Sequence, residues 1–316
     1  MIGTKINNLE IIEEIGGGEG TFGKVFKAKD CDLNDKKAIK IFKVEKGESE
    51  KQRFINENKI LHTLKPHDNI ILPLSDVLTF NGFIYYVLEL ADFDLERYVN
   101  INQDFPITSY LELFMQICNG LRYAHSKNIV HRDLHNRNIL IKINNGQVTV
   151  KLADFGKARD FSQEPMTTAY VPWGALIISA PEVIAHITNM HSLFGPQAKA
   201  DIFSLGIVLR CMFNAPSPIY FGHICELSNM SIRENICFGK ASLEERRKFY
   251  TKCICYFNAH NLQEILKVKI PTELKINDMI NNLIVKMTEP DCDKRLIDLN
   301  EIINSIKAVQ QEFENV

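Results

Sequence analysis

No apolar run in this 316-residue chain approaches the length needed to cross a bilayer, where a spanning helix takes about 20 consecutive apolar residues. The N-terminal stretch MIGTKINNLE lacks the basic-then-apolar pattern of a secretory signal. Neither sign of charge is in excess: 37 Lys and Arg stand against 39 Asp and Glu, a net of -2. That balance argues against nucleic acid or an acidic membrane surface as a partner. Eight cysteines follow no regular framework. Cys253 and Cys255 form a C-x-C, but no second pair stands nearby at zinc-ligand spacing, so the cysteines read as reduced and metal-free. Internal repeats and low-complexity tracts are missing too. These absences lead us to expect a cytoplasmic protein, or one working in a host cytoplasm if a bacterium secretes it. What remains is ordinary globular composition, 45% hydrophobic and 24% charged, with material for one or two cores.

The pattern divides the chain in two. LEIIEEI and KVFKAKD read as strands around a glycine-dense turn, and KKAIKIFKV reads as a third. SEKQRFINENKILHTLK reads as a helix with Phe54, Glu57, Leu61 and Leu64 on one face, closed by Pro66. LPLSDVLTF and FIYYVLEL bracket Asn81-Gly82, a hairpin signal. After Leu90 the texture turns helical: SYLELFMQICNGLRYAHS, KADIFSLGIVLRCMF, INDMINNLIVKMT and DLNEIINSIKAVQQEF. A small strand-rich half before a larger helical half predicts an α+β fold of two lobes.

Gly18, Gly20 and Gly23 form G-x-G-x-x-G. Glycines there let backbone N–H groups approach phosphate oxygens with no Cβ in the way. The motif alone is weak, since a plain flexible hairpin can carry it too. Here a strand follows it, and Ala38-Ile39-Lys40 lies in the next strand. Lys40 by itself is a solvated strand lysine. Beside Glu57 it becomes a candidate ion pair that orients phosphates.

The segment IVHRDLHNRNILI carries His131-Arg132-Asp133 and Asn138; KLADFGKA carries Asp154-Phe155-Gly156; and Ala180-Pro181-Glu182 follows. With these three motifs in order, the chain resembles a eukaryotic-type (Hanks-type) protein kinase domain from about Leu9 to about Ile306. The resemblance implies a two-lobed protein-kinase-like fold, with a small β-rich N-lobe carrying one helix and a larger helical C-lobe. It makes residues 1–316 a single domain, with the N-lobe at about 1–89, the hinge at about 89–94 and the C-lobe at about 95–316. It implies ATP as phosphoryl donor, Mg²⁺ (or Mn²⁺) as cation and a protein substrate. Asp133 would receive the hydroxyl proton, Asn138 and Asp154 would hold metal, and Lys40, held by Glu57, would contact the phosphates. Val25 and Ala38 would close on adenine from above and Leu140 from below. Leu88 would be the gatekeeper, backbone groups of Glu89 and Ala91 would pair with the base, and Asp94 would reach the ribose. Glu182 would pair with Arg295, Asp201 would hold the backbone of the loop at 131–138, and Leu61, His131 and Phe155 would stack. Arg132 would bind a phosphorylated activation loop, with Thr167, Thr168 and Tyr170 as candidate phosphosites; an unmodified polar loop is the plain alternative.

Four departures stand out. Extra glycines at Gly16 and Gly17 predict a longer, looser turn. His135 stands where serine/threonine kinases usually carry a lysine that contacts the γ-phosphate. Arg137 resembles the arginine of the tyrosine-kinase loop. Before the Ala-Pro-Glu, Ala175 and Ile178 replace the usual threonine and tyrosine, and Trp173 comes earlier than the tyrosine-kinase tryptophan would. An insertion within about 217–262 includes ASLEERRKFYTKCICYF, an added or extended helix that reads either as plain elaboration or as a partner surface. Three readings follow: a protein kinase favouring Ser/Thr over Tyr, a pseudokinase scaffold that binds nucleotide, and a small-molecule kinase on the same architecture.

Overall fold

Strand alternation makes both faces of the first sheet useful. In the computed structural model, which describes residues 1–16, 23–42, 47–162, 180–184, 194–213, 242–259, 264 and 266–315, β1 (Lys5–Ile6), β2 (Leu9–Gly16), β3 (Gly23–Asp30), β4 (Asp35–Phe42), β5 (Leu78–Phe80) and β6 (Phe83–Leu88) form one antiparallel sheet. Its order is β1-β2-β3-β4-β6-β5. One face packs Ile11, Phe26, Ala28, Ile39, Ile41 and Tyr85 into a small core of its own. The other face carries Ala38 and Lys40, two apart and hence on the same side. The register Val25↔Lys40, Lys40↔Tyr86 and Ala38↔Leu88 adds Val25, Tyr86 and Leu88 to that side.

Below this second face runs α1 (Glu48–Leu64), whose Phe54, Glu57, Leu61 and Leu64 are all buried. Phe54 packs on Tyr86 with ring centroids 4.9 Å apart. The Asn81-Gly82 turn has φ of 48° and 80°, the pair of positive values a two-residue type I′ hairpin requires. The strand before it is shorter than LPLSDVLTF predicts. Pro73 makes only an isolated bridge to Leu88, having no N–H for a ladder, and the Ser75 hydroxyl takes the Val87 N–H at 2.9 Å. Gly16, expected in the loose turn, instead ends β2 opposite Val25.

The larger lobe is helical. It contains α2 (Leu95–Ile101), α3 (Ile107–Ser126), α4 (Pro181–Ile184), α5 (Phe194–Met212), α6 (Leu243–Ala259), α7 (Leu274–Met287) and α8 (Leu299–Glu314). In α3, Leu111, Phe114, Ile117, Cys118 and Leu121 face inward at helical spacing. The helices α5 and α7 approach so closely at Gly206 that a Cβ there would lie 2.7 Å from Thr288 Cγ2. The helix α6 turns Phe249, Cys253 and Phe257 into the core, and Phe257 meets Phe203 of α5 edge-on at 6.4 Å. The inserted segment therefore contributes to packing, whatever else it does. Cys253 is buried and Cys255 exposed, both free thiols.

Between the lobes lie short strands that present loops. They are β7 (Phe93–Asp94), β8 (Ile129–Val130), β9 (Ile139–Asn144), β10 (Gln147–Leu152) and β11 (Arg159–Asp160). Strands β10-β9-β7 form one small sheet and β11-β8 another. The loop at 131–138 and the loop after β10 are set side by side, joined by an Ala153 N–H bond to the Asn138 carbonyl at 2.9 Å. Gly18, Gly20, Thr167, Thr168, Tyr170, Trp173, Ala175, Ile178 and most of the 217–262 insertion lie outside the described residues.

Candidate active site

A buried ammonium organises the upper half of the cleft. Lys40 Nζ lies 2.7 Å from each carboxylate oxygen of Glu57 and 3.1 Å from Asp154 Oδ1. Strand β4 supplies the lysine, α1 the glutamate and the loop after β10 the aspartate. The three are far apart in sequence, and one cation joins both lobes. Burial disfavours a charged lysine here, yet Asp154 and Glu57 hold its pKa well above the ordinary value. At Asp154 burial also works against ionisation, but Lys40 outweighs it and brings the pKa down to about 2. Asp154 itself adopts a left-handed backbone, φ 55° and ψ 66°, which starts a 3₁₀ turn at Phe155–Lys157. Phe155 is buried and its ring lies 4.7 Å from that of His131. Leu61 belongs to the same core cluster.

The lower half is fixed from α5. Asp201 Oδ2 accepts the His131 N–H and Oδ1 the Arg132 N–H, both at 2.8 Å. His125 Nε2 lies 2.9 Å from Oδ2, and because a carboxylate only accepts, that nitrogen carries a proton. Burial alone would raise the Asp201 pKa; the bonds from His125 and the backbone reverse that and lower it. Arg132 is held at φ 67°, a left-handed conformation costly for a residue with a Cβ. His131 is itself locked, with Nε2 3.0 Å from the Ala153 carbonyl and Nδ1 accepting the Asp133 N–H at 3.3 Å.

Asp133 is thereby presented at the cleft floor. Its Oδ2 takes Lys157 Nζ at 2.7 Å and Asn138 Nδ2 at 3.2 Å. Its Oδ1 is buried without a hydrogen-bond partner among the described residues. Asn138 Nδ2 also donates to the Asp133 carbonyl at 2.9 Å. His135 caps the following 3₁₀ turn, its Nδ1 accepting the Arg137 N–H at 3.2 Å, and its Nε2 stays 3.9 Å from Asp133. Arg137 turns away, its Nε 2.7 Å from Glu96.

Around these groups, Val25 and Leu140 are half-buried, and Ala38 and Leu88 buried. The Glu89 N–H bonds the Leu72 carbonyl at 3.0 Å, while the Glu89 side chain is held by Lys142 at 2.6 Å and Lys151 at 3.0 Å. The Glu89 carbonyl and both backbone groups of Ala91 have no hydrogen-bond partner among the described residues. Asp94 spends one oxygen capping α2, accepting the Arg97 N–H at 2.8 Å. Farther down, Arg295 grips Glu182 through both terminal guanidinium nitrogens, Nη2 at 3.0 Å from Oε2. Arg295 also donates to the Lys199 and Glu289 carbonyls at 2.9 and 2.8 Å, and both side chains of the pair are almost wholly buried. Sequence reasoning missed His125, the Glu89 lysines and Lys157. The last had a visible signal, as a cation directly after Asp154-Phe155-Gly156.

A small antiparallel sheet with one helix, set over a helical lobe with a Lys–Glu–Asp cluster at the junction, defines a two-lobed fold of the protein-kinase type. Residues 9–306 match the protein kinase domain family, and the chain belongs to that family. It is 28% identical over 288 residues to "Cyclin-dependent kinase C-3" of Oryza sativa subsp. japonica, covering 84% of this chain and 79% of that protein. It is 32% identical over 250 residues to "Cyclin-dependent kinase 12" of Drosophila melanogaster, covering 73% of this chain and 20% of that protein. With "Mitogen-activated protein kinase 11" of Oryza sativa subsp. japonica it shares 33% over 211 residues, 64% of this chain and 35% of that protein. The chain thus spans most of the first relative and only a minor part of the other two.

Proposed function

We propose that this chain is an ATP-dependent protein kinase that phosphorylates serine or threonine on a protein substrate, with Mg²⁺ as the divalent cation. The observation that carries the reading is the convergence of Lys40, Glu57, Asp154, Asn138 and Asp133 on one cleft. Three similar proteins named as kinases are consistent with it.

The donor set fits a hard cation. Asn138 turns its Nδ2 toward Asp133, so its Oδ1 accepts nothing from the described residues, and neither does Asp154 Oδ2. Among the described residues no group of three or more His, Cys, Asp or Glu could hold a metal alone. Two oxygen donors without a full cage suit Mg²⁺, which keeps waters and draws on substrate phosphates; Mn²⁺ satisfies the same donors. Bound there, the cation supplies charge neutralisation at the phosphates. Lys40 anchors the phosphate chain, and Glu57 keeps the ammonium in place. Val25, Ala38, Leu88 and Leu140 would close on the base, beside the Glu89 carbonyl and the backbone groups of Ala91. The acceptor hydroxyl oxygen bonds to the γ-phosphorus as the bond to the β–γ bridging oxygen breaks, and Asp133 receives the hydroxyl proton.

Serine/threonine kinases usually carry a lysine at position 135, and here Lys157 brings an ammonium to Asp133. Arg137, the tyrosine-kinase-like residue, is drawn to Glu96 instead, which favours the shorter acceptors. Regulation by phosphorylation of Thr167, Thr168 or Tyr170 also has support. Arg132 is half-buried, and desolvation together with the nearby charges of Arg159 and Arg53 brings its pKa down to about 10, so a phosphate reaching these arginines would relieve like-charge crowding.

Mass spectrometry of the purified chain and a generic protein substrate after incubation with Mg²⁺ and ATP tests this. Phosphoserine or phosphothreonine is expected, with Asp133→Asn reducing it about 10²–10⁴-fold. Undiminished transfer by Asp133→Asn, or no transfer by the native chain with either Mg²⁺ or Mn²⁺, would refute the reading and favour a nucleotide-binding scaffold.

A further inference from the structure

Position 135 lacks the lysine that the family resemblance places beside the base, and the loop offers no replacement of its own. His135 is a half-buried imidazole. Its Nδ1 is engaged by the Arg137 N–H, and its Nε2 is 3.9 Å from Asp133, beyond hydrogen-bonding reach. Arg137 is exposed and paired with Glu96. A cation nevertheless sits on Asp133: Lys157 Nζ lies 2.7 Å from Oδ2, with about a quarter of its side chain exposed. Among the described residues Asp133 is its only ion-pair or hydrogen-bond partner.

The chain geometry explains how it gets there. Lys157 closes the 3₁₀ turn that begins after Asp154. The short turn keeps Lys157 close to Asp154, and both side chains reach the cleft, Asp154 at Lys40 and Lys157 at Asp133.

We propose that Lys157 is this kinase's catalytic lysine in place of position 135, holding Asp133 in register and neutralising the γ-phosphoryl of a bound nucleoside triphosphate during transfer. The inference rests on the protein-kinase reading above. During the step the acceptor oxygen bonds to the γ-phosphorus. The bond to the β–γ bridging oxygen breaks, its electron pair leaving with the nucleoside diphosphate. The hydroxyl proton passes to Asp133, while Lys157 keeps its protons and supplies charge where the transition state spreads it. One consequence separates this arrangement from a lysine on the 131–138 loop. Here the cation and Asp154 ride on one turn, so the seating of Phe155 against His131 sets both together.

The test uses the full chain and steady-state transfer of labelled phosphate from Mg²⁺-ATP to a generic protein substrate. The chains compared are native, Asp133→Asn, Lys157→Ala, Lys157→Arg and the double variant His135→Lys/Lys157→Ala. Binding of a non-hydrolysable ATP analogue, read as a thermal shift, reports folding and nucleotide affinity. Lys157→Ala is expected to lose about 10²-fold in kcat, the scale of one transition-state contact, with the ATP KM and thermal shift within about twofold of native. Lys157→Arg should retain most of the activity, and adding His135→Lys should recover about tenfold by restoring the charge from the loop. Lys157→Ala activity within twofold of native would overturn the proposal. So would a loss that neither Lys157→Arg nor His135→Lys repairs, or one that takes the thermal shift with it. Transfer by the native chain but not by Asp133→Asn upholds the kinase reading whatever Lys157 does. A native chain that transfers nothing overturns both.

Discussion

Replacing Asp201 by asparagine separates the hydrogen-bonding role of that carboxylate from its shape. Three donors converge on its two oxygens: the His131 N–H, the Arg132 N–H and His125 Nε2. Asparagine offers one oxygen and one NH₂, so whichever way the amide turns, at least one buried N–H loses its acceptor and faces another donor. Losing one bond to a charged group costs about 1.5–3 kcal/mol, and leaving the donor unsatisfied about 1–3 kcal/mol more. A destabilisation of about 3–5 kcal/mol is therefore expected, measured by urea denaturation with the slope unchanged. The same bonds hold Arg132 in its left-handed conformation directly before Asp133, so relaxation of that residue moves the base. A shift of about 1 Å costs on the order of 10²-fold in rate. The pH dependence supplies an internal check. The folded Asp201 pKa is below its ordinary 3.8, so its stabilisation is complete above the unfolded pKa and is lost as pH falls through the lower folded value. The gap between native and Asp201→Asn must then narrow as pH drops below 3.8. A variant within about 0.5 kcal/mol and twofold in kcat of the native chain, against the donor count above, would refute the reasoning.

Two further substitutions probe the larger lobe. Arg295→Ala strands the Glu182 carboxylate in a buried setting and is expected to cost about 3–5 kcal/mol, with Arg295→Lys intermediate because it keeps the charge but not the two-pronged grip. A loss under about 1 kcal/mol in urea for Arg295→Ala would show that Glu182 finds water or another partner. Phe257→Ala on α6 removes a ring that is 1% exposed and should cost about 3–5 kcal/mol. Cys255→Ser, exposed on the same helix, should stay within about 0.5 kcal/mol. Equal stabilities for the two variants would mean that α6 is not part of the folded core.

The two-lobed division and most elements were legible because periodicity reports burial directly. Phe54, Glu57, Leu61 and Leu64 repeat at three and four, and all four are buried. The run after Asp201 is mostly apolar because α5 packs into the centre. The shortened strand before Asn81 was not legible, because alternation cannot register that Pro73 has no N–H to give. Site residues divide the same way. Those borne on named motifs could be placed through the resemblance to the protein-kinase family, and the structure brings Lys40, Glu57 and Asp154 together. The partners reached across the fold could not. His125 meets Asp201 from another helix, and Lys142 and Lys151 meet Glu89 from a hairpin. Nothing local in the sequence specifies either encounter.

Lys157 shows why motif position and chemical position diverge. A motif records where in the chain a residue type stands, but a charge acts according to where its atoms are, and its energy depends on distance and surroundings. The loop at 131–138 and the turn at 155–157 are neighbours, stitched by the Ala153–Asn138 bond and by His131 against Phe155. A lysine side chain is long and flexible, so either segment can deliver an ammonium to Asp133 Oδ2. His135, read from sequence as a lost cation, is therefore a change in which segment carries the charge, since an ammonium still stands 2.7 Å from Asp133. The altered residues at 175 and 178 do not bear on that contact. They belong to the stretch where acceptor choice is expected to be made, and the phosphoamino-acid analysis addresses that choice independently of Lys157.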